Sequence, residues 1–205
     1  MPHAAVRPGA GSLKRALDVG IAGTLVLLAA PLALLIVAAV RLSSTGPAIY
    51  TQTRLGLNGR RFTIFKFRTM TSNAEAAGAP LWAVRNDPRC TRIGSLLRRT
   101  GLDELPQLWN VLRGEMSIVG PRPERPGFAG QFAGQFPDYG DRQVVRPGIT
   151  GFAQVHGWRG NTDLTERLRH DLYYIRHWSL GFDMRVLLLT LRHAWSERTR
   201  NGIPG

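Results

Sequence analysis

The feature that most constrains this chain is a run of 22 residues without a charged side chain, from Val19 to Val40. A helix needs about 20 apolar residues to cross the hydrocarbon of a bilayer. The run is too long for a signal peptide and lacks a clean cleavage site before a polar mature chain. We therefore predict a membrane helix over residues 13–42, preceded by a disordered tail over residues 1–12.

Pro31 lies near the centre of this run, and basic residues flank it on both sides. Lys14 and Arg15 precede the run, and Arg41 follows it, so the flanking charges select no orientation. A proline removes one backbone hydrogen bond and kinks a helix. The residues alone therefore allow either a kinked single span or a re-entrant hairpin that enters and leaves by the same leaflet.

The net charge of +13 is carried almost wholly by arginine, because Lys14 and Lys66 are the only lysines among 27 basic residues. Arginine makes bidentate contacts with phosphate. This balance implies a polyanionic partner: nucleic acid, an anionic membrane surface or a phosphorylated substrate. The lone cysteine, Cys90, cannot form an internal disulfide, which suits a domain that faces the cytosol.

After Ser43 the sequence predicts an α+β domain that is mostly helical and contains a small β-hairpin. Asn58-Gly59 is a strong hairpin signal between the segments YTQTRLG and RRFTIFKFRTM. Alternation in the second segment places Lys66 and Arg68 on one face, either as a solvated face or as phosphate contacts. A short helix followed by a loop is predicted over 72–87, and helices are predicted in the first part of 124–143, over 162–174 and over 179–195.

Adjacent carboxylates, Asp103 and Glu104, lie between two arginine clusters in the segment LLRRTGLDELPQLWNVLRGEMSIVGPRP. Pro106 is tolerated in the first turn of a helix, so Asp103 is predicted to cap a helix over QLWNVLR. In the simplest interpretation Asp103 is only a cap and Glu104 pairs with an arginine. Alternatively, an ionised aspartate among arginines acts as a nucleophile on phosphorus or holds a divalent metal.

Arginines on both sides of the acid pair are candidates for phosphate binding. Arg98 and Arg99 precede it, and Arg122 follows it between two prolines. Because Pro121 and Pro123 restrict the backbone on either side, they preorganise the guanidinium of Arg122.

From Lys14 to about Trp195 the chain resembles the bacterial sugar transferase family, the monotopic polyprenyl-phosphate phosphoglycosyl transferases. The matching segments are KRALD, the Ala30-Pro31 pair, SSTGPAIYTQTRLGLNGRRFTIFKFRTM, LRRTGLDELPQLWNVLRGEMSIVGPRP, RPGITGFAQVHGWRG and DLYYIRHWSLGFDMRVLLLT. The GWRG segment and the last motif look most like the branch that transfers glucose 1-phosphate from UDP-glucose to start exopolysaccharides.

The resemblance implies a re-entrant membrane helix broken at Pro31, although Ala30 stands where the family usually has serine. It implies a cytosolic phosphoglycosyl transferase domain over 43–196 with interfacial amphipathic helices, followed by a tail over 197–205. The expected location is the bacterial inner membrane, with the catalytic domain facing the cytoplasm. We expect inner-membrane lipid as a partner, no nucleic acid, and a possible homodimer.

The resemblance also implies roles for the candidate residues. Asp103 would attack the phosphorus attached to the sugar of a UDP-sugar, expel UMP and form a covalent phospho-sugar enzyme, from which undecaprenyl phosphate takes the phospho-sugar. Glu104 would orient or deprotonate groups and, with Asp103, hold Mg²⁺. Arg98 and Arg122 would bind phosphates, with Lys66 and Arg68 as further candidates.

Several alternatives stay open at this point. The sugar could be galactose or an N-acetylated sugar instead of glucose. The enzyme could work in one step, with Asp103 serving only a metal. A membrane-anchored basic adaptor for anionic lipid or nucleic acid would also explain the charge. Many relatives of the glucose branch carry further transmembrane helices ahead of this region, so the chain is either a minimal member or a fragment.

Overall fold

The computed structural model describes residues 10–71, 74, 87–160 and 162–200. It combines helices with two small sheets, which confirms the predicted α+β class. In chain order the elements are α1 (Ala10–Ser43), β1 (Ile49–Leu55), β2 (Arg61–Phe67), α2 (Arg92–Thr100), α3 (Gln107–Leu112), β3 (Ser117–Val119), α4 (Pro126–Gln135), β4 (Gly148–Thr150), α5 (Phe152–Val155), α6 (Leu164–Arg176) and α7 (Leu180–Arg200).

The N-terminal end of α1 is bound to the rest of the domain through a mostly buried ion pair. Lys14 Nζ donates to Asp183 Oδ2 over 2.6 Å and to the carbonyl of Val119 over 3.2 Å. The hydroxyl of Tyr174 and the indole N–H of Trp178 also donate to the Asp183 carboxylate, at 2.7 and 3.3 Å. One carboxylate of α7 therefore receives donors from α1, from α6 and from the segment that joins α6 to α7.

Two further charged residues of the KRALD motif bind α1 to α3 and β3. The guanidinium of Arg15 donates to the carbonyls of Val111 and Leu112 at 2.5 and 2.8 Å, and so satisfies the C-terminal end of α3. The buried Asp18 carboxylate accepts from the backbone N–H of Ile118 at 3.0 Å. The motif thus holds the membrane-helix candidate against two elements of the polar domain.

The C-terminal end of α1 is held by the same domain. Arg68 donates to the carbonyls of Ser44 and Val40 at 2.7 and 3.5 Å, close to the last turn of the helix. Val40 packs in a buried apolar cluster with Phe67 and Leu97. Both ends of α1 therefore contact one folded unit.

Between its two ends α1 carries exposed leucines and stays helical through Pro31. Leu27 and Leu34 are 78% and 72% exposed. Residues 11–43 form a helix that is long and apolar enough to cross a membrane by length and composition.

The predicted hairpin is confirmed. Strands β1 and β2 pair antiparallel, with Gln52 opposite Ile64. Asn58 in the connecting turn has φ of 54°, a left-handed conformation that asparagine adopts more readily than most side chains. The hairpin places Lys66 on β2, near the acid pair.

A second, parallel pair of strands was not predicted. β3 and β4 pair with Ser117 opposite Gly148, and α4 with a 3₁₀ turn, Pro137–Gln143, forms the crossover between them. A parallel pair requires such a crossover. The strands are only three residues long, too short for an alternating pattern to reveal them.

The main apolar core lies where α1, α3, β3 and α7 meet. Ala22 of α1, Val111 of α3, Val119 of β3 and Val186 of α7 are all buried in this core. Because burial of apolar surface is the main favourable contribution to folding, α1 is part of the core and not only an appended anchor.

The prediction that Asp103 caps the helix of QLWNVLR is wrong. Pro106 occupies the N-cap position of α3, and Asp103 lies inside a separate 3₁₀ turn, Leu102–Glu104. The reason is local: Gly101 ends α2 in a left-handed conformation with φ of 71°, and the chain then makes one tight turn before α3.

The remaining elements agree with the sequence in part. The helices predicted over 162–174 and 179–195 are confirmed as α6 and α7, with ends that differ by a few residues. The short helix and loop predicted over 72–87 lie mostly outside the described residues. Helix α1 begins within the predicted tail 1–12, and α7 extends into the predicted tail 197–205. The possible homodimer stays a prediction.

Removal of the Asp183 carboxylate tests the attachment of α1. Asp183→Ala leaves Lys14 and Tyr174 without their acceptor in a largely buried site, and we expect a loss of about 3 kcal/mol of unfolding free energy. This corresponds to a fall of roughly 6 to 12 °C in the thermal midpoint in detergent. The exposed Asp138→Ala variant is the control, and equal midpoints for the two variants would contradict this attachment.

Candidate active site

The acid pair is positioned by the junction of α2 and α3. Thr91 caps α2 by accepting from the backbone N–H of Gly94 over 2.9 Å. Gly94 lies against the backbone of Thr69, where an added Cβ would clash, so a glycine is required at this helix position. Gly101 then reverses the chain into the turn that carries Asp103 and Glu104.

Glu104 is fixed by two cations from distant segments. Lys66 Nζ donates to Glu104 Oε1 over 2.9 Å. The guanidinium of Arg122 donates to both carboxylate oxygens, at 2.5 and 3.3 Å. Burial alone would raise the pKa of Glu104, but the charges of Arg122 and Lys66 outweigh it and hold the pKa well below its usual range. The two cations therefore favour the ionised form of Glu104.

The two cations respond to the same cluster in opposite directions. The charge of Glu104 raises the pKa of Arg122. Burial lowers the pKa of Lys66, and Glu104 offsets part of this effect. Two cations thus share the carboxylate of Glu104, and one of them, Arg122, stays protonated at any ordinary pH.

Asp103 differs from its neighbour because its carboxylate has no hydrogen-bond donor among the described residues, although it lies in the same cluster. Its side chain is largely buried, while its oxygen atoms keep some contact with solvent. Burial, followed by the negative charge of Glu104, raises the pKa of Asp103, whereas Lys66, Arg122 and Arg98 lower it in part. A carboxylate that is unpaired, partly desolvated and reachable has the properties of a nucleophile.

The structure brings together most of the predicted site residues but not all of them. Lys66, Glu104 and Arg122 are in direct contact, and Asp103 and Arg98 lie within electrostatic range. Arg98 Nη1 donates to the Cys90 sulfur over 2.9 Å.

Arg68 lies elsewhere. It follows the last residue of β2 and caps the C-terminal end of α1 through the carbonyls of Val40 and Ser44. The alternation that placed it beside Lys66 ends with the strand at Phe67.

The loop that presents Arg122 is held at each of its carbonyls. The carbonyl of Pro121 accepts from Gly148 N at 2.9 Å, that of Arg122 from Arg142 Nη2 at 3.1 Å, and that of Pro123 from Arg54 Nη1 at 3.2 Å. The prolines restrict the backbone, and these bonds fix its position.

Sequence reasoning missed the two arginines that hold this loop. Arg142 is buried in a pair with Asp171 at 2.8 Å, and its Nη1 donates to the hydroxyl of Tyr139 at 2.6 Å. Burial lowers the pKa of Arg54 to about 10, and the charge of Arg122 adds to this effect. In a chain so rich in arginine, composition gives no signal that separates structural from substrate-binding guanidiniums.

Asn110 was also missed. This completely buried residue of α3 donates through Nδ2 to the carbonyl of Thr63 and to Glu115, both at 2.7 Å, and accepts from Phe65 N at 3.2 Å. It binds the backbone of β2 just before Lys66, and so sets the distance between Lys66 and Glu104. An asparagine between tryptophan and valine in a helical pattern was the available signal.

Asp103 and Glu104 are the candidate ligands for Mg²⁺. Among the described residues no group of three or more His, Cys, Asp or Glu side chains could hold a metal. However, Mg²⁺ is commonly bound by one or two carboxylates together with substrate phosphates and water. Asp103 and Glu104 would hold the ion in that mode, together with substrate phosphates.

A carboxylate pair beside lysine and arginine side chains suits the binding of phosphorylated ligands. The chain belongs to the bacterial sugar transferase family, whose model matches residues 10–197.

Three curated relatives share 43 to 48% of their aligned residues with the chain. The UDP-glucose:undecaprenyl-phosphate glucose-1-phosphate transferase of Escherichia coli K12 is 48% identical over 87% of this chain and 39% of its own length. The protein of the same name from Caulobacter vibrioides is 46% identical, over 87% and 68%. The UDP-N-acetylgalactosamine-undecaprenyl-phosphate N-acetylgalactosaminephosphotransferase of Aeromonas hydrophila is 43% identical, over 88% and 43%. The chain thus spans about two fifths of the length of several relatives that it matches.

Proposed function

We propose that this protein transfers a sugar 1-phosphate from a UDP-sugar to undecaprenyl phosphate and releases UMP, through a covalent intermediate on Asp103. The observation that carries the proposal is that the two carboxylates of the acid pair differ in their hydrogen bonding. Glu104 is bound by Lys66 and Arg122, whereas Asp103 has no hydrogen-bond donor among the described residues and reaches solvent. The names of the relatives support the reaction class and the lipid acceptor.

In the first step an Asp103 oxygen attacks the phosphorus that is bonded to the sugar oxygen. The bond from this phosphorus to the bridging oxygen breaks, and UMP leaves with the bonding electron pair. No proton has to be supplied, because the second pKa of a phosphate monoester is near 6. The product is an acyl phosphate between Asp103 and the sugar phosphate, and the bond from the sugar carbon to oxygen stays intact.

In the second step an oxygen of undecaprenyl phosphate attacks the same phosphorus and regenerates the Asp103 carboxylate. Arg122 and Lys66 hold positive charge at the site of attack, and Glu104 fixes both in place. Because the first product leaves before the lipid is used, the kinetics are ping-pong.

We also propose Mg²⁺ as the cofactor, held by Asp103 and Glu104 together with substrate phosphates. The charges of Asp103, Glu104, Lys66 and Arg122 balance one another, so a bound diphosphate brings negative charge that these four residues do not neutralise. When bound, Mg²⁺ neutralises charge on the diphosphate. Arg98 supplies one additional cation nearby.

We propose that α1 is re-entrant and that the domain lies on the cytoplasmic side of the bacterial inner membrane. A helix that crosses about 30 Å of hydrocarbon has its ends on opposite sides. In this protein Lys14 near one end and Val40 near the other are both bonded to the same polar domain. Pro31 removes a hydrogen bond in the exposed middle of the helix, where the chain can bend within the bilayer.

Exposed apolar side chains outside α1 support a membrane-facing side with interfacial helices. Leu96 on α2 and Trp109 on α3 are 49% and 55% exposed, on the two helices that flank the acid pair. Trp is enriched at membrane interfaces, and Arg92 and Arg99 of α2 suit anionic headgroups. A water-soluble nucleotide sugar and a lipid phosphate meet only at such a surface.

We propose glucose as the sugar, because the relatives from Escherichia coli and Caulobacter vibrioides, at 48% and 46% identity, are both named for the transfer of glucose 1-phosphate. A relative named for N-acetylgalactosamine is 43% identical, so the fold also accommodates an N-acetylated sugar. Rates of UMP release measured with a panel of UDP-sugars would identify which sugar the protein transfers.

The nucleophile is tested by Asp103→Asn. We expect no adduct of sugar phosphate on the protein by intact-mass measurement without lipid, and a loss of at least about a thousandfold in lipid loading. The exposed Asp138→Asn variant is the control and should form the adduct. A wild-type protein that loads lipid without any adduct indicates one-step transfer, and undiminished turnover by Asp103→Asn overturns the mechanism.

The pH dependence of UMP release in a single turnover identifies the reacting group. Attack needs ionised Asp103, whose pKa is raised above 3.8, so the rate should fall as the pH decreases through that raised value. Glu104 stays ionised over the same range because its pKa is lowered. Glu104→Gln removes a like charge and should move the acid limb to lower pH. A rate that stays constant down to the ordinary pKa of aspartate would contradict this assignment.

The topology of α1 is tested with single cysteines in a Cys90→Ser background. Leu13→Cys and Leu42→Cys lie at exposed positions near the two ends of the helix. A re-entrant helix makes both reactive toward an impermeant maleimide in inverted vesicles, while Leu28→Cys stays unreactive in hydrocarbon. Labelling of the two end positions from opposite sides would show that the helix spans the membrane.

A further inference from the structure

Three arginines from distant segments meet at the C-terminal end of α3, while the acid pair lies before its N-terminal end. Arg15 of α1 donates to the last two carbonyls of α3. Arg146, in the segment before β4, donates through Nε to the carbonyl of Gly114 over 2.9 Å. Arg113 is the C-cap residue of α3. We call Arg15, Arg113 and Arg146 the α3 arginine cluster, and the mechanism above uses none of its members.

The members of the α3 arginine cluster lie close to one another. A Cβ atom added at Gly114 would lie 3.5 Å from Arg15 Nη2, and the carbonyl of the same glycine accepts from Arg146. Arg113 is the residue before this glycine. Three guanidiniums therefore gather around one turn of the chain.

The charge of the α3 arginine cluster is only partly balanced. Among the described residues, Glu115 is the one carboxylate that pairs with a member of the cluster, at 3.3 Å from Arg113 Nη2. The same carboxylate also accepts from Asn110 Nδ2 at 2.7 Å. Because three guanidiniums face one carboxylate, the cluster carries an excess of two positive charges.

The cluster also has N–H groups available for a ligand. A guanidinium carries five N–H donors. Within the described part of the chain, Arg146 is bonded through Nε alone, so its two terminal nitrogens keep their N–H groups. Arg113 is 51% exposed and approaches Glu115 with one nitrogen. Pairs of terminal N–H groups bind phosphate oxygens in a bidentate manner.

The exposed face of α3 connects the cluster to the proposed membrane-facing side. Trp109 and Arg113 are four residues apart, so they share one face of the helix, and both are more than half exposed. Tryptophan is enriched at the depth of lipid headgroups, and arginine attracts anionic ones. Leu13 and Leu17, both exposed, lie within one turn of Arg15 along α1. A bilayer in contact with these apolar side chains brings its headgroups to the cluster.

The distance to the acid pair separates the cluster from the reacting phosphates. Helix α3, Gln107–Leu112, lies between the turn that carries Asp103 and the cluster. Six helical residues span about 9 Å. Attack on phosphorus needs the reacting atoms about 3 to 3.5 Å apart. A phosphate bound at the cluster is therefore out of reach of the Asp103 carboxylate.

We propose that the α3 arginine cluster binds the phosphate headgroup of an anionic phospholipid of the surrounding bilayer, at a site distinct from that of undecaprenyl phosphate. The headgroup neutralises the excess positive charge and bonds to the N–H groups of Arg146 and Arg113. It thereby holds the C-terminal end of α3, and the end of α1 at Arg15, at the bilayer surface. The inference rests on the proposed membrane-facing side of the domain and not on the transfer reaction.

The test measures equilibrium binding of a short-chain phosphatidylglycerol to the full chain in a non-ionic detergent, without a nucleotide sugar. The double variant Arg113→Gln with Arg146→Gln should bind roughly thirtyfold more weakly, from about fivefold for each arginine near an anionic headgroup. Arg15 is left unchanged because it caps α3. The control, Arg60→Gln with Arg61→Gln, removes the same charge at exposed positions of the hairpin and should bind like the wild type.

Two further variants separate a lost contact from lost folding. Arg113→Gln alone changes an exposed side chain, so it should keep the wild-type thermal midpoint and weaken binding by about fivefold. Arg113→Lys with Arg146→Lys keeps both charges and should restore most of the affinity that the glutamine variant loses. Added salt should weaken binding to the wild type, because the attraction is electrostatic.

The source of the phosphate is decided by three comparisons. A wild type that binds phosphatidylcholine of the same chain length, or inorganic phosphate, as tightly as phosphatidylglycerol would overturn the proposal. Equal affinities of the wild type and the double glutamine variant for phosphatidylglycerol would also overturn it. A KM of undecaprenyl phosphate that rises roughly thirtyfold in that variant would assign the cluster to the acceptor instead.

Failure of this inference can be distinguished from failure of the proposed function. Binding of phosphatidylglycerol that depends on the cluster, in a protein that transfers no sugar phosphate, supports the lipid site and refutes only the transfer reaction. A protein that transfers sugar phosphate but does not bind phosphatidylglycerol refutes only the lipid site.

Discussion

One carboxylate joins the three segments that make the site. Glu104 lies in a turn between two helices, Lys66 on a hairpin strand 38 residues earlier, and Arg122 in a proline-bound loop 18 residues later. The two cations keep Glu104 ionised in a buried setting, and Glu104 keeps both cations in place. Removal of any one member would leave an uncompensated charge in a poorly solvated position. The unpaired state of Asp103 depends on this arrangement, because the nearest cations are already bound to its neighbour.

Some arginines of this protein are internal structural donors and others lie at the candidate site, and composition could not separate the two groups. Arg15 and Arg68 bind helix C-terminal carbonyls, while Arg54 and Arg142 bind the carbonyls of the loop around Arg122. Their fixed charge and planar fork let them serve as structural donors inside the protein. Part of the high net charge therefore serves the internal construction of the domain.

The membrane helix and the site are mechanically connected. Arg15 of α1 satisfies the C-terminal end of α3, whose N-terminal end follows the Asp103 and Glu104 turn. Ala22 of the same helix packs against Val111 of α3 in the main core. Because cores are close-packed, α1 and α3 cannot shift independently of one another, so the position of the acid pair is tied to that of the apolar helix.

The sequence by itself determined the local features: the apolar helix, the hairpin turn at Asn58-Gly59, the helices α6 and α7, and the acid pair among cations. Each depends on residues close together in the chain, whose periodicity or turn chemistry is sufficient. Only the tertiary structure decided that Lys66 binds Glu104 while Arg68 caps α1, and that Pro106 rather than Asp103 begins α3. It also decided that β3 and β4 pair and that Asn110 spaces β2 from the acid pair. These depend on contacts between distant segments, which local patterns do not encode.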